Sequence, residues 1–504
     1  PDQLHRNVYL MSLTNSTSGR QSNCPQDGKF YEMCDEYGLL FDDEAVIDSH
    51  RMYYTIYHDV MRKGTFGHED GRKKGTLGHN PDYLESHLSR IRNMFERNKN
   101  YPSVTIWSLG NEAGNGYNFY NAYSLLKDLD KDLMARPVCY ERALEDWNTD
   151  MVVPQYPSAK SFEYYGINGR RVDKADNRPF VPSEYSHAMG NSSGNLYDQW
   201  VQVYKYPNLQ GGYIWEWIDH AVKYKKDGKM IWAYGGDFGK DQPSDGNFVA
   251  DGIVNPDQNP HPAMAEVKYT HQNVGFEAVV LGKGQIKIKN RFYFTDLADY
   301  TIKYQILENG TSVKENILPL SLAPQDSTTI TVPVSSLKMK PGAEYFVNME
   351  VISKKAEHLI PAGHTVAYDQ FELPVTGKRQ LYTSTSGPKL AISDVGGKIN
   401  ITSSKVEFIY DKLQNIVTSY KVNGTEYLAE GFGIHPNFWR GPVDNDYGNG
   451  APKRLQICKQ SSKNFKVSKA DAVHEIDNTV ILTVIYELAA GNDYIVIYKV
   501  YPSG

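Results

Sequence analysis

Two patterns of apolar positions divide the chain. Up to about residue 265, short runs rich in β-branched and aromatic residues alternate with segments of helical spacing. The runs are "GLLFDD" (38–43), "TIWSLG" (105–110), "PVCYE" (137–141), "MVVPQY" (151–156), "FVPSEY" (180–185) and "GGYIWEW" (211–217). They read as parallel strands buried on both faces. The clearest helix between them covers 81–98. Asn80 suits the N-cap, Pro81 the first helical position, and Leu84, Leu88, Ile91 and Phe95 recur at helical spacing. A second helix covers 117–134, with Leu125, Leu126, Leu129 and Leu133 on its buried side. Repeated strand-helix units predict a parallel sheet, open or closed into a barrel.

Beyond 265 the period changes from helical to alternating. "GQIKIKNRFYFTD", "YTIKYQILENG", "STTITVPV" and "AEYFVNMEVIS" predict an antiparallel sandwich over 266–375. "PVTGKRQ" (374–380) reads as a linker, and a second all-β domain occupies 381–504. The chain starts without Met and stops in mid-strand pattern, so it reads as a piece of something longer.

Composition narrows the chemistry. The net charge of -6 is spread through the chain, which argues against a nucleic-acid surface. No run of about 18 apolar residues occurs, so no membrane partner is expected. Cys24, Cys34, Cys139 and Cys458 have neither CxxC nor zinc spacing. Free thiols favour a reducing compartment, hence a cytoplasmic location over a periplasmic or secreted one. The 37 Tyr and 7 Trp suit an ordinary core and a Tyr-rich surface; they also suit a carbohydrate binder, because flat rings stack on sugar faces.

In a strand-helix barrel, reactive groups sit on the loops after the strands. Glu112 directly follows "TIWSLG", and Glu184 ends "RPFVPSE" at an equivalent position. Two carboxylates at one barrel mouth are the minimum for glycoside hydrolysis: one donates a proton, the other attacks or activates water. Each could instead cap a loop or hold a salt bridge. Trp215 could floor a sugar subsite or fill core, Tyr156 could hydrogen-bond a nucleophilic carboxylate, and His187 could donate to a sugar hydroxyl. Asp48 and His50 mix a hard oxygen with an imidazole, which suits Mg²⁺ or Mn²⁺ if a third carboxylate joins them. Neither a phosphate-binding glycine loop nor a G-x-S-x-G elbow is present.

The stretches "NYPSVTIWSLGNEAGNG", "RPFVPSEYSHAMGNSSG", "LQGGYIWEWIDH", "YGGDFG", "DGIVNPDQNPHPAMAEVKY" and "FWRGPVDNDYGNG" resemble the large bacterial β-galactosidases of glycoside hydrolase family two. The resemblance implies an incomplete (β/α)8 TIM barrel over 1–265 that lacks its first strand. An Ig-like β-sandwich over 266–375 and the start of a large β-sandwich over 381–504 would follow. It implies a retaining hydrolase of terminal β-D-galactose, with Glu112 as acid/base and Glu184 as nucleophile, their carboxyls about 5–5.5 Å apart. By the same resemblance Asn111, Tyr156, His187 and Trp215 bind the sugar. Asp48, His50 and Glu112 hold Mg²⁺, with Asp48 where Glu is commoner. Phe248 and Asp251 fall at a monovalent-cation site of the Na⁺ type. A homo-oligomer is implied for the longer form.

Departures point the other way. Asn23 stands in "STSGRQSNCP" where the family has a substrate-contacting His, and "LTNSTSG" reads as too polar for a barrel strand. A barrel without its first strand leaves edges exposed. A catalytically impaired sugar-binding remnant, dependent on another segment or chain, is therefore the competing expectation.

Overall fold

The computed structural model describes residues 2–50, 76–169, 177–375 and 384–504. Helix α1 (Asp2–Leu13) leads into strand β1 (Ser18–Arg20). Helix α2 (Gly28–Tyr37) is capped by Asp27, whose side chain accepts from the Lys29 N–H. It stops at Gly38, whose left-handed φ of 76° lets its N–H reach the Cys34 carbonyl. Strand β2 (Leu40–Glu44), helix α3 (Leu84–Asn98), strand β3 (Val104–Ser108), helix α4 (Tyr117–Asp130) and strand β4 (Val138–Cys139) follow. β1 to β4 pair in sequence order, all parallel.

The predicted strands at 151–156, 180–185 and 211–217 take up the same parallel course, but each is joined through isolated bridges: Val152 with Phe180, Gln155 with Glu184, Phe180 with Leu209, and Tyr185 with Ile214. Pro154 and Pro182 explain the broken ladders, since proline has no N–H to donate. Their carbonyls still accept, from Ser183 at 3.1 Å and Tyr213 at 3.1 Å. Helices α5 (Ala159–Asn168) and α6 (Leu196–Lys205) lie between these segments. A hairpin, β5 (Val222–Lys226) with β6 (Lys229–Ala233), and helix α7 (Ala263–Thr270) complete this part of the chain.

The helix at 81–98 is a short 3-10 turn at Pro81–Tyr83 continued by α3, with the Asn80 side chain accepting from the Asp82 N–H. It buries His87, Ile91, Met94, Phe95 and Asn98. The second predicted helix ends early, at Asp130. Leu126 is fully buried, but Leu133 is 58 % exposed in the turn beyond, a correction to its expected burial. Asp130 ends α4 because its carboxylate serves Arg136: it accepts from the Arg136 guanidinium at 2.9 Å and backbone N–H at 2.7 Å, all of it buried.

Of the polar stretch "LTNSTSG" (13–19) only the last two residues enter a barrel strand: Leu13 ends α1, 14–17 form the turn and connection, and β1 pairs with β2 through Ser18, Gly19 and Arg20. The hydrophobic rule fails here because the barrel interior is charged. Along β2, alternate residues point to opposite faces. Asp43 turns outward to Tyr31 of α2 at 2.6 Å and Asn98 of α3 at 2.7 Å. Glu44 turns inward to Arg20 and to Ser108 at 2.8 Å. Apolar filling of the interior comes from Cys139, Met151, Val153 and Val181, with Ile106 and Tyr213 against them. Between β1 and the segment around Gly211–Ile214 lies a cleft of about 1340 Å³, also lined by Asn23, Trp215 and Glu216.

Strands β7 (Val274–Val280), β8 (Gln285–Asn290), β9 (Tyr300–Glu308), β10 (Thr311–Leu318), β11 (Ser327–Thr331), β12 (Tyr345–Ser353) and β13 (Thr365–Glu372) form a sandwich whose sheets run in the orders β10-β9-β12-β13 and β11-β8-β7. Strand β12 (Tyr345–Ser353) alternates strictly between buried and half-buried residues. The barrel and this sandwich make up one compact unit, Pro1–Leu337 with Tyr345–Pro374. The second unit is Lys338–Glu344 with Val375–Gly504. It has a five-stranded and a three-stranded antiparallel sheet around a core that includes Ile399, Ile401, Phe408, Leu482 and Val484. The expected linker lies, from residue 376 on, outside the described residues.

Candidate active site

The C-terminal ends of the parallel strands bring the expected site residues into one network of side-chain contacts. Beyond β3 the chain continues through Leu109, Gly110 and Asn111, and the Asn111 N–H donates to the Ile47 carbonyl at 2.9 Å. Gly110 has φ of 147°, and a Cβ there would meet the Ile47 carbonyl oxygen at 2.6 Å. Gly110→Ala should therefore cost on the order of 1–3 kcal/mol of stability, read as a fall in the thermal-unfolding midpoint. An unchanged midpoint would show that the strand end is not tightly packed.

Glu112 follows with a positive φ of 40°, and its N–H donates to the buried Glu141 carboxylate at 2.6 Å. Its Oε1 accepts from Arg142 at 3.1 Å, and its Oε2 lies against His50 Nδ1. Glu184 is paired in register with Gln155. Three side chains converge on its carboxylate. Oε1 accepts from Gln155 at 2.9 Å and from Arg20 at 3.2 Å, and Oε2 accepts from the Tyr156 hydroxyl at 2.5 Å. Glu112 and Glu184 are 6 % and 5 % exposed, so both are held in place rather than solvated.

Asn111 precedes Glu112 and shares with Glu184 the donors Arg20 and Gln155. Its Oδ1 accepts from Arg20 at 3.0 Å and Gln155 at 3.3 Å, and its Nδ2 donates to Asp48 at 3.2 Å. Arg20 also donates to Glu44, which makes it the hub of the barrel interior. Burial opposes its charge, but Glu44, Glu184 and Asp42 raise its pKa above the ordinary value. Burial pushes Asp42 up to about 7 and Glu141 up to about 8, against the pull of Arg20 and Arg142 respectively. Burial, and then the Glu184 charge, raises the Tyr156 phenol, so it stays a donor.

His187 packs its ring edge-on to Tyr156, with centroids 5.5 Å apart, and lies 5.8 Å from the Phe248 ring. Its Nε2 is 4.0 Å from Asp251 Oδ2, which also accepts from Trp215 Nε1 at 3.4 Å. The Trp215–Glu216 peptide is cis. Asn23 lies at the end of β1 with φ of 65°, and its N–H donates to Glu44 at 3.2 Å. Asp48, His50 and Glu112 are neighbours: Asp48 Oδ1 accepts from the His50 N–H at 2.7 Å. Two carboxylates and an imidazole make a donor set that fits a hard divalent cation. His50 lies directly on Glu112, whereas Asp48 faces the His50 N–H and Asn111, and among the described residues no three His, Cys, Asp or Glu side chains are grouped so that they could hold a metal ion. Asp251 Oδ1 is buried without a hydrogen-bond partner, an orphan that fits a cation close by.

Several members of the site escaped the sequence reading. Gln155, Arg142, Glu141 and Glu44 carry no motif of their own. Their shared signal is position: Glu44 and Gln155 end strands, and Glu141 and Arg142 follow β4. Chemically, the network holds two buried acids, one under three donors and one beside an arginine and an imidazole, with an amide that can bind a hydroxyl.

Three family models match successive parts of the chain. The model for glycosyl hydrolases family 2, TIM barrel domain, matches residues 1–276. Those for β-galactosidase domain 4 and the β-galactosidase small chain match 286–374 and 402–504. A β-galactosidase of Priestia megaterium is 35% identical over 507 residues, covering 99% of this chain and 46% of that protein. One from Klebsiella pneumoniae (strain 342) is 33% identical over 460 residues, covering 89% and 42%. The chain thus spans less than half the length of these curated relatives. Among solved structures, Ruminococcus gnavus β-glucuronidase is 18% identical with a TM-score of 0.38, covering 53% of this chain and 46% of that one, too slight a likeness to argue from. With the barrel model matching residues 1–276 of 504, more than half of the chain, the chain belongs to glycosyl hydrolases family 2.

Proposed function

We propose that the chain carries the reaction centre of a retaining β-galactosidase that removes terminal β-D-galactose from β-galactosides such as lactose. The observation that supports this best is Glu184 under Arg20, Gln155 and Tyr156, with Glu112 beyond the end of β3 under Arg142. In this reading the Glu184 carboxylate forms the bond to the anomeric carbon while that carbon's bond to the leaving oxygen breaks. Glu112 gives its proton to the departing oxygen, then takes one from the water that releases galactose. Asn111 accepts or donates at a sugar hydroxyl, His187 donates at another, and Trp215 floors the ring. The Tyr156 hydroxyl fixes the Glu184 rotamer until attack. Activity on a chromogenic β-galactoside tests this reading; no hydrolysis by the chain would count against it.

Asp48, His50 and Glu112 would hold Mg²⁺, or Mn²⁺ in its place. The ion would supply positive charge beside the acid and order that carboxylate. Phe248 and Asp251 would hold a monovalent cation such as Na⁺. Removal of divalent ions by EDTA should lower turnover at least about tenfold, with recovery on adding Mg²⁺. Indifference to chelation would strike Asp48 and His50 from the metal assignment.

A second reading is a sugar-binding remnant with impaired catalysis. The cleft between β1 and Gly211–Ile214 favours it, as does Asn23, whose buried Oδ1 lacks a hydrogen-bond partner. Galactose binding without turnover would support it. We further propose a homo-oligomer for a longer form and a cytoplasmic location, the latter on four unpaired cysteines. No described helix is long and apolar enough to cross a membrane.

A further inference from the structure

Gln155 and Arg142 form a bridge between the two acids. Arg142 Nη2 donates to Glu112 Oε1 at 3.1 Å and to Gln155 Oε1 at 2.5 Å. Gln155 Nε2 donates to Glu184 Oε1 at 2.9 Å. The direction of the amide is dictated by its partners. A guanidinium only donates and an ionised carboxylate only accepts, so the oxygen of Gln155 must face Arg142 and its nitrogen must face Glu184. Arg142 is itself fixed from behind, its Nε 3.0 Å from the buried Glu141 carboxylate. Glu141 in turn accepts the backbone N–H of Glu112. The arrangement is a closed circuit from the Glu112 backbone through Glu141, Arg142 and back to the Glu112 carboxylate, with an arm through Gln155 to Glu184.

We propose that Gln155 and Arg142 are positioning residues that set the Glu184 carboxylate and couple its placement to that of Glu112. This rests on the reading of those two acids as the reacting pair. The circuit matters because the attacking oxygen must sit within a few tenths of an ångström of its line of approach. Gln155 holds Oε1 on the side of Arg20, so the plane of the carboxylate cannot rotate without breaking two hydrogen bonds. Neither residue needs to touch the sugar for this effect.

The test uses the parent chain, Gln155→Met, Arg142→Met and the double variant. With 4-nitrophenyl β-galactoside, Gln155→Met should lower kcat by about 10–100-fold, the scale of a misplaced reacting group. KM should stay within about threefold, because a lost positioning contact is felt in the transition state rather than in binding. The double variant should lose less than the product of the two single losses, the signature of residues that act through one another. Gln155→Met within about twofold of an active parent, or single losses that simply multiply, would overturn the bridge and leave the proposed function standing. A parent that does not hydrolyse would overturn the proposed function for this chain. The bridge is then judged on thermal unfolding of the same four proteins. Falls in Tm that combine to less than their sum support it, and additive falls overturn it.

Discussion

Replacing Glu184 with Gln should abolish turnover, lowering kcat at least about 10³-fold, or ~4 kcal/mol of transition-state stabilisation at 1.36 kcal/mol per tenfold. The amide keeps the shape of the carboxylate but removes the charge and the nucleophile. It also brings a donor to face Tyr156, Arg20 and the Gln155 nitrogen, all of which now donate to Glu184. At least one of those contacts must break. KM should change far less than kcat, because the lost bond is made in the transition state. Steady-state kinetics on an activated aryl galactoside reads this. A variant within about tenfold of the parent would mean that another group carries the attack.

The second large effect is selective. Glu112→Gln removes the proton that the leaving oxygen takes up, an effect worth about 10²–10⁴-fold for general acid catalysis. Alkyl galactosides and lactose, whose leaving oxygens need that proton, should show the whole loss. A dinitrophenyl galactoside, whose oxygen departs as a stable anion, should lose less than about tenfold in the first step. Its overall rate should then be limited by release of galactose, because Glu112 also takes the proton from water. The same loss across all leaving groups would remove the acid role. It would recast Glu112 as a partner of Arg142 and His50.

How far these residues could be read from sequence depends on what each strand end carries. Glu112 and Glu184 were legible because an apolar run stops abruptly at a carboxylate, and helix 81–98 because its cap and period agree. Tyr156, His187 and Trp215 were readable as candidates from their places in the chain, Asn111 and Asp251 only from the resemblance, and the fold joins them through contacts around Arg20, Glu184 and Asp251. The polar β1 misled because apolar patterning assumes an apolar interior, whereas Arg20, Asp42 and Glu44 fill this part of the barrel with charge. The strands at Pro154 and Pro182 were legible as strands but not as broken ladders, because a propensity reading does not count missing N–H donors. Arg142 and Gln155 were invisible for another reason. Their importance lies in long-range partners, 30 residues away for Arg142 with Glu112 and 29 for Gln155 with Glu184. No local period records such a contact.

The most direct measurement is covalent trapping with a 2-deoxy-2-fluoro-β-galactoside bearing a good leaving group, followed by intact-mass and peptide analysis. A double displacement through the acid at the end of the "FVPSEY" segment predicts one added fluorogalactosyl group per chain, carried on Glu184 and absent from Glu184→Gln. Label on any other residue, or undiminished label on the variant, would contradict it.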